Sequence, residues 1–270
     1  MTDTFVFADL ALSQRLERAE GLNNSRFVDA RAQIDPARGA TWIEVAGARA
    51  MFDGPASPMT QTFGLGLFQP ATAADLDVIE AFYAERASPV FHEVSPLADA
   101  GLPALLSERG YRPLEYSSVL YRSTGPVAQA LGPAGVTVRL IEKGEEDVYA
   151  RISAAGWSEF GVGDLILELG RVNALVDGLR LFLAELDGEP IAAGALSIVD
   201  DIAHLAGAST IPSGRKRGAQ LALLDHRLRD GAKHGCTVAL MAALPGSSSQ
   251  RNAERNGFRI AYTRTKWQKS

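Results

Sequence analysis

The sequence predicts a mixed α/β protein built as two tandem halves, and three observations carry that expectation. Apolar runs of strand length alternate with helical patterns along the chain. Near the middle, positions 123–135 break the alternation with Gly125-Pro126, Gly132-Pro133 and Gly135. The third observation is recurrence. Glu108-Arg109-Gly110-Tyr111 and Glu254-Arg255-Asn256-Gly257-Phe258 each close a helical pattern, and their glycines lie 16 positions after Val94 and Met241. The expected organisation is a domain at 1–122, a linker at 123–135 and a domain at 136–270.

The elements follow in order. Asp9 can cap a helix over 9–20, and a second helix is expected over 21–34. Residues 41–46 and 48–52 read as a hairpin around Gly47, 60–68 as a strand, 73–87 as a helix, 90–94 as a strand, 97–108 as a helix and 111–122 as a strand. The second half opens with a strand at 136–141 and helices at 145–160 and 164–176. Strands at 179–186 and 191–199 flank Asp187-Gly188-Glu189-Pro190. An apolar strand ends at Thr210, a glycine-bearing basic turn covers 213–220, and a helix follows with Leu221, Leu224, Leu228 and Ala232 on one face. Gly235 stops that helix, Cys236 to Met241 reads as a buried strand, and 258–267 as a last strand.

Composition narrows the class. A chain of 270 residues with 46% hydrophobic and 22% charged residues suits a folded protein of one large or two ordinary domains. A net charge of −5 argues against a nucleic-acid-binding face. No run approaches the ~18 apolar residues of a membrane span, and Met1-Thr2-Asp3-Thr4 lacks the basic start of a signal peptide. The single cysteine, Cys236, has no internal partner, which fits a reducing cytoplasm. His92, His226 and His234 show no metal-ligand spacing with Cys236, so no metal is expected. No Gly-x-Ser-x-Gly element points to a hydrolase.

The informative stretch is the turn Ser213-Gly214-Arg215-Lys216-Arg217-Gly218-Ala219-Gln220. A strand, a cationic turn and a helix in succession present unpaired helix-start N–H groups to an anion, and the helix dipole and three cationic side chains act in the same sense. The turn lacks the Gly-Lys-Ser/Thr of a nucleotide P-loop and the three spaced glycines of a dinucleotide fingerprint.

The turn resembles the acetyl-CoA diphosphate loop of the GNAT N-acetyltransferase superfamily, Arg/Gln-x-x-Gly-x-Gly/Ala. Arg215 stands at its first position, Gly218 at its fourth, and Gln220 where the sixth is usually Gly or Ala. Thr210-Ile211-Pro212 resembles the family's Val-x-Pro strand end. Ser249-Gln250-Arg251-Asn252-Ala253-Glu254-Arg255-Asn256-Gly257-Phe258 resembles its Ser-x-Arg-x-x-Glu-Lys-x-Gly-Phe helix. The likeness covers 136–267 well and the first half only in a degenerate way. A shift of 147 positions places Phe68, Pro70 and Ala71 opposite Arg215, Arg217 and Gly218, without the cations and without a glycine.

The resemblance implies two GNAT-like domains, each a mixed central sheet flanked by helices, with the second active in transferring an acetyl group from acetyl-CoA to a primary amine. It places Ser209, Thr210 and Ile211 along the acyl-donor cleft. Arg215, Lys216, Arg217, Gly218, Ala219 and Gln220 would hold the diphosphate, and Asn252 the pantetheine arm. His204 falls where many members carry a basic glutamate, and a neutral imidazole can accept an amine proton near pH 7. The family's tyrosine acid is replaced by Ala253, which leaves Ser249, Tyr262 or water to reprotonate the thiolate. Trp157, Glu159 and Phe160 would suit a cationic acceptor with an apolar body, small molecule or peptide, although the two rings, three apart, equally suit a helix-end packing pair. The chain is expected as a monomer or homodimer. Two other readings remain at this point, an acyl-CoA-binding sensor or scaffold without turnover, and an α/β protein for another phosphate ligand.

Overall fold

A computed structural model describes residues 6–125 and 135–269, so most of the expected linker, 126–134, lies outside the described residues. In chain order the elements are α1 (Leu10–Ile34), β1 (Thr41–Val45), β2 (Ala48–Phe52), β3 (Gln61–Phe63), α2 (Ala73–Ala84), β4 (Val90–Val94), α3 (Leu102–Glu108) and β5 (Arg112–Ser123). Then come β6 (Val136–Leu140), α4 (Glu146–Ala155), α5 (Gly163–Asn173), β7 (Arg180–Leu186), β8 (Glu189–Val199), β9 (Ile202–Thr210) and α6 (Ala219–Lys233). β10 (Val238–Ala243), α7 (Ser248–Arg255) and β11 (Arg259–Lys269) complete the chain. Among the described residues no helix is long and apolar enough to cross a membrane.

The chain divides into two compact units, one of Met1–Arg122 with Leu240–Ser270 and one of Ser123–Ala239. This partition differs from the expected domain at 136–270. In the first unit the sheet runs β1-β2-β3-β4-β11-β5, parallel between β3 and β4 and antiparallel for β1 with β2, β2 with β3, β4 with β11 and β11 with β5. The C-terminal strand thus lies between β4 and β5, and its hydrogen bonds draw 240–270 into the first unit. α2, β4 and α3 enclose an apolar core around Leu76, Ile79, Tyr83, Val94 and Leu106.

Beside that core lies a buried ionic cluster. Arg264 on β11, 2% exposed, meets Glu20 at 2.8 Å, Glu93 at 3.0 Å and Glu17 at 3.2 Å. Removing these charges from water is tolerable only because each has a partner.

Two local expectations are corrected here. The helices expected over 9–20 and 21–34 form one, α1, capped where Asp9 accepts the Leu12 N–H at 2.9 Å. Gly21 does not break it; a Cβ there would come within 3.6 Å of Arg49 and Phe63, an ordinary packing distance. The strand expected over 60–68 shrinks to Gln61–Phe63, because Gly64 and Gly66 take left-handed backbone and turn the chain away.

In the second unit β9, β8, β7 and β6 form an antiparallel succession. α4 covers one face through Tyr149, packed with Leu181, Leu183, Ala193 and Ala195. α6 covers the other, where a Cβ on Gly231 would come within 2.7 Å of Ala203. The buried side of α6 is Ala219, Leu223, Leu224, Arg227, Leu228 and Gly231. Leu221, expected on that side, is 41% exposed.

Candidate active site

β9 carries the geometry on which the second unit's site depends. Its register against β8 is regular from Val199↔Ile202 to Ala195↔Ala206 and then slips, with Ala193 opposite Ser209. The slip is a bulge that leaves Gly207 and Ala208 outside the β8 ladder, with Gly207 at φ 59°. One extra residue also changes side-chain parity. Ala203 faces α6, so His204 and Ala206 face α4, and beyond the bulge Ser209 returns to that same face. Its hydroxyl donates to the Ser153 carbonyl at the end of α4, 3.0 Å away.

The turn after β9 is shaped for an anion. Gly214 packs so tightly that a Cβ there would lie 2.7 Å from that of Ile191. Lys216, a residue without glycine's freedom, takes φ 62°, and Gly218 caps α6 at φ 83°. Left-handed residues set in such a turn are the backbone signature of an anion-binding concavity, and the first N–H groups of α6 lack intrahelical acceptors. Arg215, Lys216 and Arg217 are exposed around it. Gln220 departs from the small residue of the family pattern, and its amide donates to Thr210 Oγ1 at 2.8 Å, tying the helix start to the strand end. The Ile211 N–H is already donated to Ile191 O at 3.0 Å.

The acceptor-side candidates lie against the same strand end. A Cβ on Gly156 would come within 2.6 Å of Ser209 Cβ, so this glycine lets the segment after α4 lie on β9. Trp157 and Phe160 are 40% and 66% exposed, with ring centroids 5.6 Å apart. Between them Glu159 reaches the turn, where Arg215 Nη1 lies 2.5 Å from its carboxylate. Two residues assigned to different ligands are therefore joined. His204, on β9 opposite Ser197 and 5% exposed, lies six positions before Thr210, about 20 Å along a strand.

The remaining candidates lie in the other unit. Ser249 and Asn252 are exposed on α7, whose cap is Ser247, accepting the Gln250 N–H at 3.2 Å. Tyr262 is buried and donates its hydroxyl to Glu17 at 2.9 Å, within the Arg264 cluster. Burial together with the nearby Glu17 charge pushes that phenol well above its ordinary value. Among the described residues no group of three or more His, Cys, Asp or Glu side chains forms a metal cluster. Reading by residue type missed Tyr149 and Arg227, which flank the bulge from opposite faces; a tyrosine inside a helical stripe and a charge beside leucines carry no signal of that role.

Residues 149–258, from Tyr149 to Phe258, match the profile of the Acetyltransferase (GNAT) family. The matched segment, less than half of the chain, is thus similar to the acyltransferases of that family. In three dimensions it is similar to the GCN5-related N-acetyltransferase from Kribbella flavida, with 20% identity, coverage of 90% of this chain and 94% of that one, and a TM-score of 0.65. A GCN5-related N-acetyltransferase from Sphaerobacter thermophilus aligns at 18% identity, 73% and 66% coverage and TM-score 0.55. A tandem GNAT protein from the clavulanic acid biosynthesis pathway aligns at 15%, 73% and 68%, with TM-score 0.52. These likenesses establish the expected fold, a tandem GNAT-like α/β architecture with mixed sheet and flanking helices. No curated protein matches the chain in sequence.

Proposed function

We infer that the second half of the chain transfers an acetyl group from acetyl-CoA to a primary amine of a small molecule or peptide. The observation that carries this reading is the left-handed, tricationic turn at Lys216 and Gly218, placed at the start of α6 and directly after a bulged strand. Arg215, Lys216, Arg217 and the first N–H groups of α6 hold the diphosphate, while Ser209, Thr210 and Ile211 line the path of the pantetheine. His204, on the α4 face, takes the ammonium proton, directly or through one water. The freed amine nitrogen attacks the thioester carbon, the carbon–sulfur bond breaks, the nitrogen gives up its second proton to water as the amide forms, and the departing thiolate recovers one from water. Tyr262 is left out of this assignment because its hydroxyl is donated to Glu17. Trp157, Glu159 and Phe160 receive the acceptor, with the carboxylate against its cation.

A second reading, binding of acyl-CoA without turnover, draws on the buried Ala253 where the family carries a tyrosine and on Tyr262's commitment elsewhere. Calorimetric titration with acetyl-CoA should give one site per chain, and thiol release over a panel of amines should show turnover. Two equal sites would remove the assignment to the second half. A single site without thiol release over the panel favours the sensor.

A further inference from the structure

Arg227 lies in the middle of the buried side of α6 and is 4% exposed, yet among the described residues no carboxylate pairs with it. A buried cation needs compensation, and here it comes from main-chain carbonyls. Nη1 donates to Ala195 O at 3.0 Å and to Ala206 O at 3.3 Å, and Nε donates to Leu223 O at 3.2 Å. Ala195 and Ala206 are the last paired residues before the bulge. The guanidinium therefore supplies hydrogen bonds at the place where the β8–β9 ladder fails. Gly194 makes room for it, since a Cβ there would lie 3.2 Å from both Cζ and Nη1. On the other face a Cβ at Gly207 would lie 3.6 Å from Tyr149 Oη, so the bulge is held between a cation and a phenol.

We propose that Arg227 is a positioning residue for the acyl donor, holding the β9 bulge open so that Gly207 and Ala208 stay out of the β8 ladder and available to the pantetheine amides and the thioester oxygen. The inference rests on the acetyl-CoA reading of the second half. It follows that loss of the guanidinium should affect the pantetheine end of the ligand and leave the nucleotide end, held by the turn at 213–220, unaffected. Its positive charge also lies behind the strand segment where negative charge develops on the thioester oxygen.

The test compares acetyl-CoA with adenosine 3′,5′-bisphosphate, which carries the nucleotide end without the pantetheine, by calorimetry on wild type, Arg227→Met and Arg227→Lys. In Arg227→Met, acetyl-CoA affinity should fall at least about tenfold, the scale of lost hydrogen bonds to a charged group, while the nucleotide's changes less than about twofold. Arg227→Lys should recover most of the loss, and amide exchange over 205–210 should quicken in the methionine variant only. Gly194→Ala, which retains the arginine but crowds its guanidinium, should reproduce the selective loss and serves if Arg227→Met does not fold. Equal loss of both ligands, or loss of neither, overturns the positioning role while leaving the proposed function standing. Failure of wild type to bind either ligand overturns the proposed function, and this role with it.

Discussion

His204 and Ser209 are five positions apart on β9, which in a regular strand would set them on opposite faces; the bulge gives them the same one. If His204 is the base, His204→Ala should bind acetyl-CoA as wild type does and lose about 10²–10⁴-fold in kcat/KM, the usual worth of a positioned general base. Steady-state kinetics beside a binding titration checks this, and unchanged kcat/KM in the folded variant would reduce the histidine to packing. Its candidacy came from the resemblance, which sets a basic residue at that place on the strand before the turn. Arg227 was not legible, because a charged residue among leucines reads as facing water, and only the main-chain carbonyls of Ala195, Ala206 and Leu223 make its burial tolerable. Tyr262 shows the reverse error of reading by residue type. Its phenol suits proton transfer in isolation, but a carboxylate 245 positions earlier in the chain holds it.

The turn between β9 and α6 was the most readable element, since cations, a glycine and a strand-to-helix junction all point to an anion. Gly218 takes φ 83°, which a side chain opposes, and an added carboxylate would repel a diphosphate. Gly218→Asp should therefore weaken CoA binding much more than binding of a phosphate-free pantetheine analogue; equal losses in parallel titrations would place the diphosphate elsewhere. The ion pair between Arg215 and Glu159 was beyond the sequence, because 56 positions separate the partners. It makes Glu159 a competitor of the diphosphate for one guanidinium. Glu159→Gln is expected to tighten acetyl-CoA binding by at most about fivefold, the worth of an exposed pair, and at the same time to raise KM for cationic amines. A loss of acetyl-CoA affinity would contradict this coupling. Helix extent was less legible. Two helices meeting at Gly21 were expected, yet the glycine lies inside α1, which runs on unbroken to Ile34.

The tandem plan was visible as a repeat, and the structure extends it. The shift of 147 positions carries Arg112 onto Arg259, the first residues of β5 and β11, and places α3 within one residue of α7. The destination of β11 was not visible, since strand order depends on pairing between distant segments and leaves no local pattern.

The first unit makes a further prediction about stability. His92 on β4 is fully buried beside the Tyr111 ring, and neither ring nitrogen has a hydrogen-bond partner among the described residues. Burial pushes its pKa down to about 3, with Glu80 opposing. Above its ordinary value of 6.5 the histidine is neutral whether folded or not; as pH falls below 6.5 the unfolded chain takes up a proton that the folded chain refuses, and stability is lost. Glu17 acts in the opposite sense. Burial, with Glu20 and Glu93 adding to it and Arg264 and Tyr262 resisting, pushes its carboxyl from 4.5 up to about 7. The folded chain therefore takes the proton first, and the resulting stability is fully present below 4.5 and lost as pH rises through 7. Between pH 6.5 and 4.5 the two slopes nearly cancel. Against wild type, His92→Leu should gain ~2 kcal/mol of stability over that interval and Glu17→Gln should lose ~2 kcal/mol, from 1.36 kcal/mol for each unit of pH. His92→Leu should also be more stable at pH 8, by about 1–3 kcal/mol, because two buried nitrogens no longer go without partners. Urea unfolding followed by fluorescence of Trp42 and Trp267, both in the first unit, reads these differences. Two difference curves that stay flat from pH 7 to 4.5 would mean that neither group changes its proton affinity on folding.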